Sequence, residues 1–155
     1  MSKLSRWMAI AVTGLLAASG TLQAGEGGPW LTDFEAAKRQ AAEQKRPILA
    51  DFSGSDWCGW CIRLEKEVFS QKAFQNYAAT NLVLFLADFP ARKPQPDAEA
   101  AQNKKLAATY GIEGYPTVLL LNSEGKELAR TGYQRGGAEA YVEHVKTLLK
   151  DQGKK

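Results

Sequence analysis

Cysteine and histidine are scarce in this chain. Its 155 residues include two cysteines and one histidine, His144. A closed zinc site wants four ligands, and two thiols with one distant imidazole do not supply them. Haem attachment is also unsupported, because Ile62 rather than histidine follows Cys58-Gly59-Trp60-Cys61. Excess charge of either sign is missing as well. The formal net charge is +3, and setting aside Lys3 and Arg6 from the 20 basic residues leaves 18 against 17 acidic ones. A nearly neutral mature chain has no nucleic-acid footprint and no polybasic face for an acidic membrane. Long apolar runs are absent too: the uncharged stretch from Trp7 to Gly20 falls short of the ~20 apolar residues of a membrane span. No internal repeat is present.

The apolar stretch has a different reading. Lys3 and Arg6 form a basic n-region, Trp7 to Gly20 the apolar h-region, and Leu22-Gln23-Ala24 a small-residue cut site before Gly25-Glu26. This layout predicts a signal peptide over 1–24 and a mature domain over 25–155, exported to the periplasm or secreted. An uncleaved anchor is the alternative; after cleavage no stable membrane insertion is expected. No cysteine lies near the cut, which excludes lipid attachment there.

What the chain does have is a vicinal pair of thiols. Cys58 and Cys61 stand two residues apart, between a loop and a predicted helix. The ring they close is too small to remove much chain entropy, so it adds little as a staple. A thiolate at a helix N-terminus meets free N–H groups and the positive end of the dipole. The pair therefore reads as a redox switch that needs an electron partner to set its state.

The rest of the chain alternates helices and strands. Thr32 and Glu35 fit a capping box for a helix carrying Phe34, Ala37 and Ala41 on one face. Pro47 precedes a strand, Ile48 to Phe52. A helix from about Cys58 to Phe69 offers Ile62, Leu64, Val68 and Phe69 for burial. Ser70 is a candidate N-cap for a second helix through Ala79. Leu82 to Ala87 is apolar on both faces, as expected of a central strand. A basic, proline-rich loop runs from Pro90 to Pro96. Asp97 is a candidate cap for a helix ended by Gly111. Thr117 to Leu121 and Glu127 to Thr131 pair as a hairpin, and a last helix bears the stripe Tyr141, Val142, Val145, Leu148 and Leu149. The order predicts a mixed sheet with helices on both faces.

Four stretches make the chain resemble a thioredoxin-fold protein, with an extra N-terminal helix and a core over about 31–149. They are Trp57-Cys58-Gly59-Trp60-Cys61 at a strand-to-helix junction, the preceding strand with Asp51-Phe52, Tyr110-Gly111-Ile112-Glu113-Gly114-Tyr115-Pro116-Thr117, and Gly132-Tyr133. Asp51 to Cys58 is similar to the exported thioredoxin-like group of bacterial proteins. The resemblance implies a thiol–disulfide oxidoreductase in which Cys58 attacks and Cys61 resolves. It also implies a cis peptide before Pro116, facing the dithiol, with the Tyr115 backbone free to pair with substrate; an ordinary trans proline opening a strand is the other reading. Trp57, Gly59, Trp60, Tyr115 and Pro116 are the expected substrate-binding residues, with core packing as the alternative for Trp57. Gly59 and Trp60 tune the exchange. Arg63, Glu65, Lys66 and Glu67 read as a solvated face.

Asp51 stands where the family often has a buried acid, which makes it the candidate for proton transfer with Cys61. It departs from ordinary thioredoxins in lying one residue farther from Cys58, and Leu82 to Phe89 supplies no neighbouring lysine. The alternative is a strand-end aspartate bonded to loop amides. No histidine separates the cysteines, which favours a reductase or isomerase over a strong oxidase. No cofactor beyond the Cys58–Cys61 disulfide is expected. The expected partners are protein or peptide thiols and disulfides and a membrane or periplasmic electron donor, around a monomer. A non-catalytic chaperone or binding module of the same fold is the competing function.

Overall fold

The computed structural model describes residues 30–152. The signal peptide expected over 1–24 and the N-terminus of the mature chain lie outside the described residues. Five α-helices and four strands follow one another: α1 (Phe34–Gln44), β1 (Ile48–Ser53), α2 (Gly59–Leu64), α3 (Lys72–Asn81), β2 (Val83–Asp88), α4 (Asp97–Thr109), β3 (Thr117–Leu121), β4 (Glu127–Thr131) and α5 (Gly137–Gln152), with a π-helical segment over Glu65–Phe69 between α2 and α3. The sheet order is β2-β1-β3-β4. β1 runs parallel to β2 and antiparallel to β3, and β3 and β4 form the hairpin. This is the predicted mixed sheet between helices.

β1 is buried along its whole length. Because side chains alternate along a strand, Ile48, Ala50 and Phe52 face one layer, with Phe34, Ala37 and Ala41 of α1. Leu49 faces the other, with Leu64, Val68, Phe69, Phe74 and Tyr141. The same alternation places Asp51 on Leu49's side, the side covered by α2 and α5.

Several expectations at element ends need correction. The N-cap of α1 is Asp33, whose carboxylate accepts from the Ala36 amide, rather than Thr32; a carboxylate at that end also favours the helix dipole. Ser70 closes the π segment instead of opening α3. Its hydroxyl donates to the Glu65 and Lys66 carbonyls and its N–H to Glu65 O at 2.9 Å, and Gln71 is the N-cap of α3. Asp97 is the first residue of α4, behind Pro96 at the cap.

Ile62 is 48% exposed rather than buried. The buried stripe of this stretch is Cys61, Leu64 and Val68, at the i, i+3, i+7 spacing of one helix face, and Ile62 lies off it. β2 is not a central strand: it is the outer member of the sheet order. Both its faces are apolar because both layers of helices reach it. Its open edge is covered by Leu31, which donates its N–H to Leu84 O and accepts from Leu86 N, both at 2.9 Å.

Candidate active site

β1 ends against a loop that delivers Cys58 to the start of α2. Cys58 is the N-cap of that helix, and its sulfur accepts the Cys61 amide at 3.2 Å. A thiolate formed there would find a donor already aimed at it. Cys58 and Cys61 are joined in a disulfide with Cα atoms 5.2 Å apart. Cys61 lies deeper, 3% exposed against 7% for Cys58, and its sulfur accepts the Gly54 amide at 3.5 Å. The order of exposure suits Cys58 for attack and Cys61 for resolution.

Two aromatic groups stand on either side of this pair. Trp57 is 47% exposed, yet its indole N–H donates to Phe89 O at 2.7 Å and its ring packs edge-on to Tyr115 at 5.8 Å. Trp57 thus packs on one side and is open on the other. Gly54 is needed for this packing, since a Cβ there would fall 2.7 Å from the indole Cζ2. Tyr115 also meets Phe89 at 5.1 Å. On the other side Trp60 is 51% exposed and leans on Tyr133 at 5.1 Å. The peptide bond from Tyr115 to Pro116 is cis. Gly132 lets the end of β4 approach this element, with only 3.1 Å between its would-be Cβ and Pro116 O. Gly59 faces open space.

Asp51 lies beneath the site. It is 5% exposed and its Oδ1 has no hydrogen-bond partner. Burial pushes its pKa from 3.8 up to about 8, helped by the negative charges of Glu65 and Asp88. The loop amides go to other acids. Asp88 accepts from the Ser55 amide at 2.9 Å and its hydroxyl at 2.6 Å, and Asp56 accepts from the amides of Ala91, Arg92 and Lys93. The reading of Asp51 as a loop-amide acceptor is therefore not what the structure places there.

A thioredoxin-like domain model matches residues 34–146. The chain belongs to the thioredoxin-like family. It is 37% identical over 121 residues to the disulfide bond reductase DsbH of Chlamydia pneumoniae, covering 78% of this chain and 72% of that protein. A solved DsbH oxidoreductase structure superposes with a TM-score of 0.76 at 32% identity, covering 90% of this chain and 95% of the other. The thioredoxin-related protein DsbJ of Chlamydia pneumoniae is 31% identical over 103 residues, covering 66% of this chain but only 30% of DsbJ. With its Cys58–Cys61 pair, this thioredoxin-like chain is a thiol–disulfide oxidoreductase.

Some residues of this thioredoxin-like site were not singled out by the sequence. Asp88 ends β2, in register with Ser53, and only that pairing brings it to the loop before Cys58. Glu65 reads as one more charge on a solvated face, yet partial burial raises its pKa and its charge bears on Asp51. Arg63 and Glu67 pair with each other and with Tyr133. The i, i+4 spacing of Arg63 and Glu67 was the available signal for half of this; the contact to Tyr133 is tertiary. Among the described residues no cluster of three or more His, Cys, Asp or Glu is placed to hold a metal, and no helix is long and apolar enough to cross a membrane.

Proposed function

We propose that this chain is an exported protein disulfide reductase or isomerase, with residues 1–24 as its signal peptide and 25–155 as its working domain. The observation that carries the reading is the disulfide itself: two cysteines at a helix start, one sulfur capping the first turn and the other a turn deeper. The reductase named above among its relatives supports the direction. So does the lack of a histidine between the cysteines. Arg63 brings a cation near Trp60, but Glu67 pairs with it at 2.6 Å, so little of that charge is free to stabilise a thiolate.

In the proposed cycle the Cys58 thiolate attacks one sulfur of a substrate disulfide. A Cys58–substrate disulfide forms and the other substrate sulfur leaves as a thiolate. Cys61 then loses its proton and attacks the Cys58 sulfur, which releases the second substrate thiol and closes Cys58–Cys61. Two electrons pass to the substrate, and a membrane or periplasmic thiol donor must return them. Asp51, in the fraction that is ionised at neutral pH, is the group we assign to accept the Cys61 proton. It is buried on the α2 side of β1, and a carboxyl held near pH 8 is matched to exchanging protons at neutral pH. Trp57, Trp60, Tyr115 and Pro116 would receive the extended substrate around the sulfurs.

Turnover of insulin disulfides by wild type, Cys58→Ser and Cys61→Ser tests this. Both variants should lose turnover, and Cys61→Ser should accumulate a mixed disulfide through Cys58. Wild-type turnover no better than that of Cys58→Ser would sink the catalytic reading in favour of a binding module. Trapping through Cys61 would reverse the two roles.

A further inference from the structure

Arg63 and Glu67 do not simply face solvent. The Arg63 guanidinium carbon lies 5.6 Å from the Trp60 ring centroid and 5.5 Å from that of Tyr133. The two rings are themselves 5.1 Å apart, tilted by 44°. Glu67 fastens the arrangement with both oxygens: Oε1 accepts from Arg63 Nε at 2.6 Å, and Oε2 accepts from the Tyr133 hydroxyl at 2.5 Å. Tyr133 is itself anchored through its neighbour, since Gly132 abuts Pro116 and its carbonyl accepts from the buried Tyr141 hydroxyl at 3.2 Å. Three side chains from two separate segments, Arg63 and Glu67 from one and Tyr133 from the other, thus form a network around Trp60, one of the two residues between the cysteines.

Trp60 remains 51% exposed, so its other side is open to whatever approaches Cys58. A loose indole on a first helical turn would have to be ordered each time a partner bound. One already held against Tyr133 and Arg63 avoids that entropy cost. The guanidinium is spent on a carboxylate, so its role is to pack against the rings rather than to charge the site.

We infer that Arg63, Glu67 and Tyr133 are positioning residues that hold the Trp60 indole as a fixed wall beside Cys58, and that this wall selects polypeptide disulfides carrying an apolar or aromatic side chain next to the attacked cysteine. The inference rests on the reductase reading above and adds a substrate class and three residues to it.

Single-turnover reduction by the pre-reduced protein tests it with two substrates: a peptide disulfide with phenylalanine beside its cysteine, and the small hydroxyethyl disulfide. Tyr133→Phe and Glu67→Gln are each made in the wild-type and Trp60→Ala backgrounds. In the wild-type background either change should raise the half-saturating peptide concentration by about three- to tenfold, the scale of the net worth of one intramolecular hydrogen bond. The maximal rate, the small-disulfide rate and the Cys58 thiolate pKa should stay as in wild type. In the Trp60→Ala background neither change should add anything, because the residue they act through is gone. Independent, multiplying effects in that background would overturn the inference. So would an equal loss on the small disulfide accompanied by a shifted Cys58 pKa, which would place the network's action on the sulfur. Unchanged half-saturation in the variants would sink the inference alone, whereas a wild type that reduces neither substrate would sink the reductase reading and the inference with it.

Discussion

Asp51 and Asp56 sit at the two ends of the segment that leads into Cys58, and their surroundings are opposite. Asp51 is the floor of the site: buried, on the face of β1 under α2, with an oxygen that nothing bonds and two like charges nearby. Asp56 is on the rim, half-buried, with its two oxygens taking three backbone N–H groups of the Ala91–Lys93 loop at 2.7–2.9 Å. The same carboxyl is driven in opposite directions. Burial lifts the first to about 8. Hydrogen bonds from Ala91, then Arg92 and Lys93, hold the second below its ordinary value. One carboxyl is thereby fit to carry a proton at neutral pH, and the other is an anion there that fastens a loop.

Removing the floor should have the largest effect. Asp51→Asn keeps the shape but cannot exchange a proton, so resolution of the Cys58 mixed disulfide at pH 7 should slow on the order of 100-fold, the low end of general acid–base assistance. Rapid-quench measurement of that step checks it. Stability should move the opposite way. In the unfolded chain the carboxyl ionises near the ordinary value of 3.8, while in the folded protein it keeps its proton to about 8. Between those two points the folded state binds more protons, so the Asp51 contribution weakens folding as pH rises from about 4 to about 8, by about 4 kcal/mol at pH 7. Urea unfolding of the oxidised protein should show this as a slope in the difference between wild type and Asp51→Asn. A difference independent of pH would mean that Asp51 is ionised in the fold.

A milder change should turn the floor toward the character of the rim. Leu86 pairs with Asp51 in the parallel β1–β2 register and so shares its face. The sequence supplies no lysine on this strand. Leu86→Lys would set a cation beside the buried carboxylate and should lower its pKa by about 1–3 units. An NMR titration of the Asp51 carboxyl carbon reports this directly, with Leu86→Met as the packing control. A carboxyl that still titrates near 8 in Leu86→Lys would show that the new cation does not reach it.

Much of this site was legible before any coordinates. The thiol pair, the cis-proline element and the buried acid are local in sequence, or are marked by residue types with few other uses. The sheet's composition was also readable, because period-two and helical stripes record which face is buried. Sequence pattern misleads where chemistry depends on tertiary pairing. β2 looked central because its residues are apolar on both sides, a pattern that also arises in an outer strand under two helix layers. Arg63, Glu65 and Glu67 looked solvated because nothing in their local pattern announces Tyr133 or the carboxyl of Asp51. The loop-amide role weighed for Asp51 exists in the structure, but Asp88 and Asp56 perform it.

The smallest of these effects, and the sharpest check on the contrast, lies at the rim. Asp56→Asn keeps one carbonyl oxygen but turns the other acceptor into an NH2 donor. Oδ1 serves Ala91 while Oδ2 serves both Arg92 and Lys93, so whichever way the amide turns, at least one loop N–H faces a donor. Hydrogen-exchange protection of the Ala91, Arg92 and Lys93 amides should fall by about tenfold, the scale of one lost charge-assisted bond, while reduction of a small disulfide changes little. The pH dependence should run opposite to that of Asp51. A carboxylate held below its ordinary pKa strengthens the fold above about pH 4 and loses that contribution as pH falls through its lowered value. Wild-type protection of these three amides should therefore persist at neutral pH and drop in acid, where Asp51 is at its least costly. Protection that survives both the substitution and acid would mean that the loop holds itself, and that Asp56 merely decorates the rim.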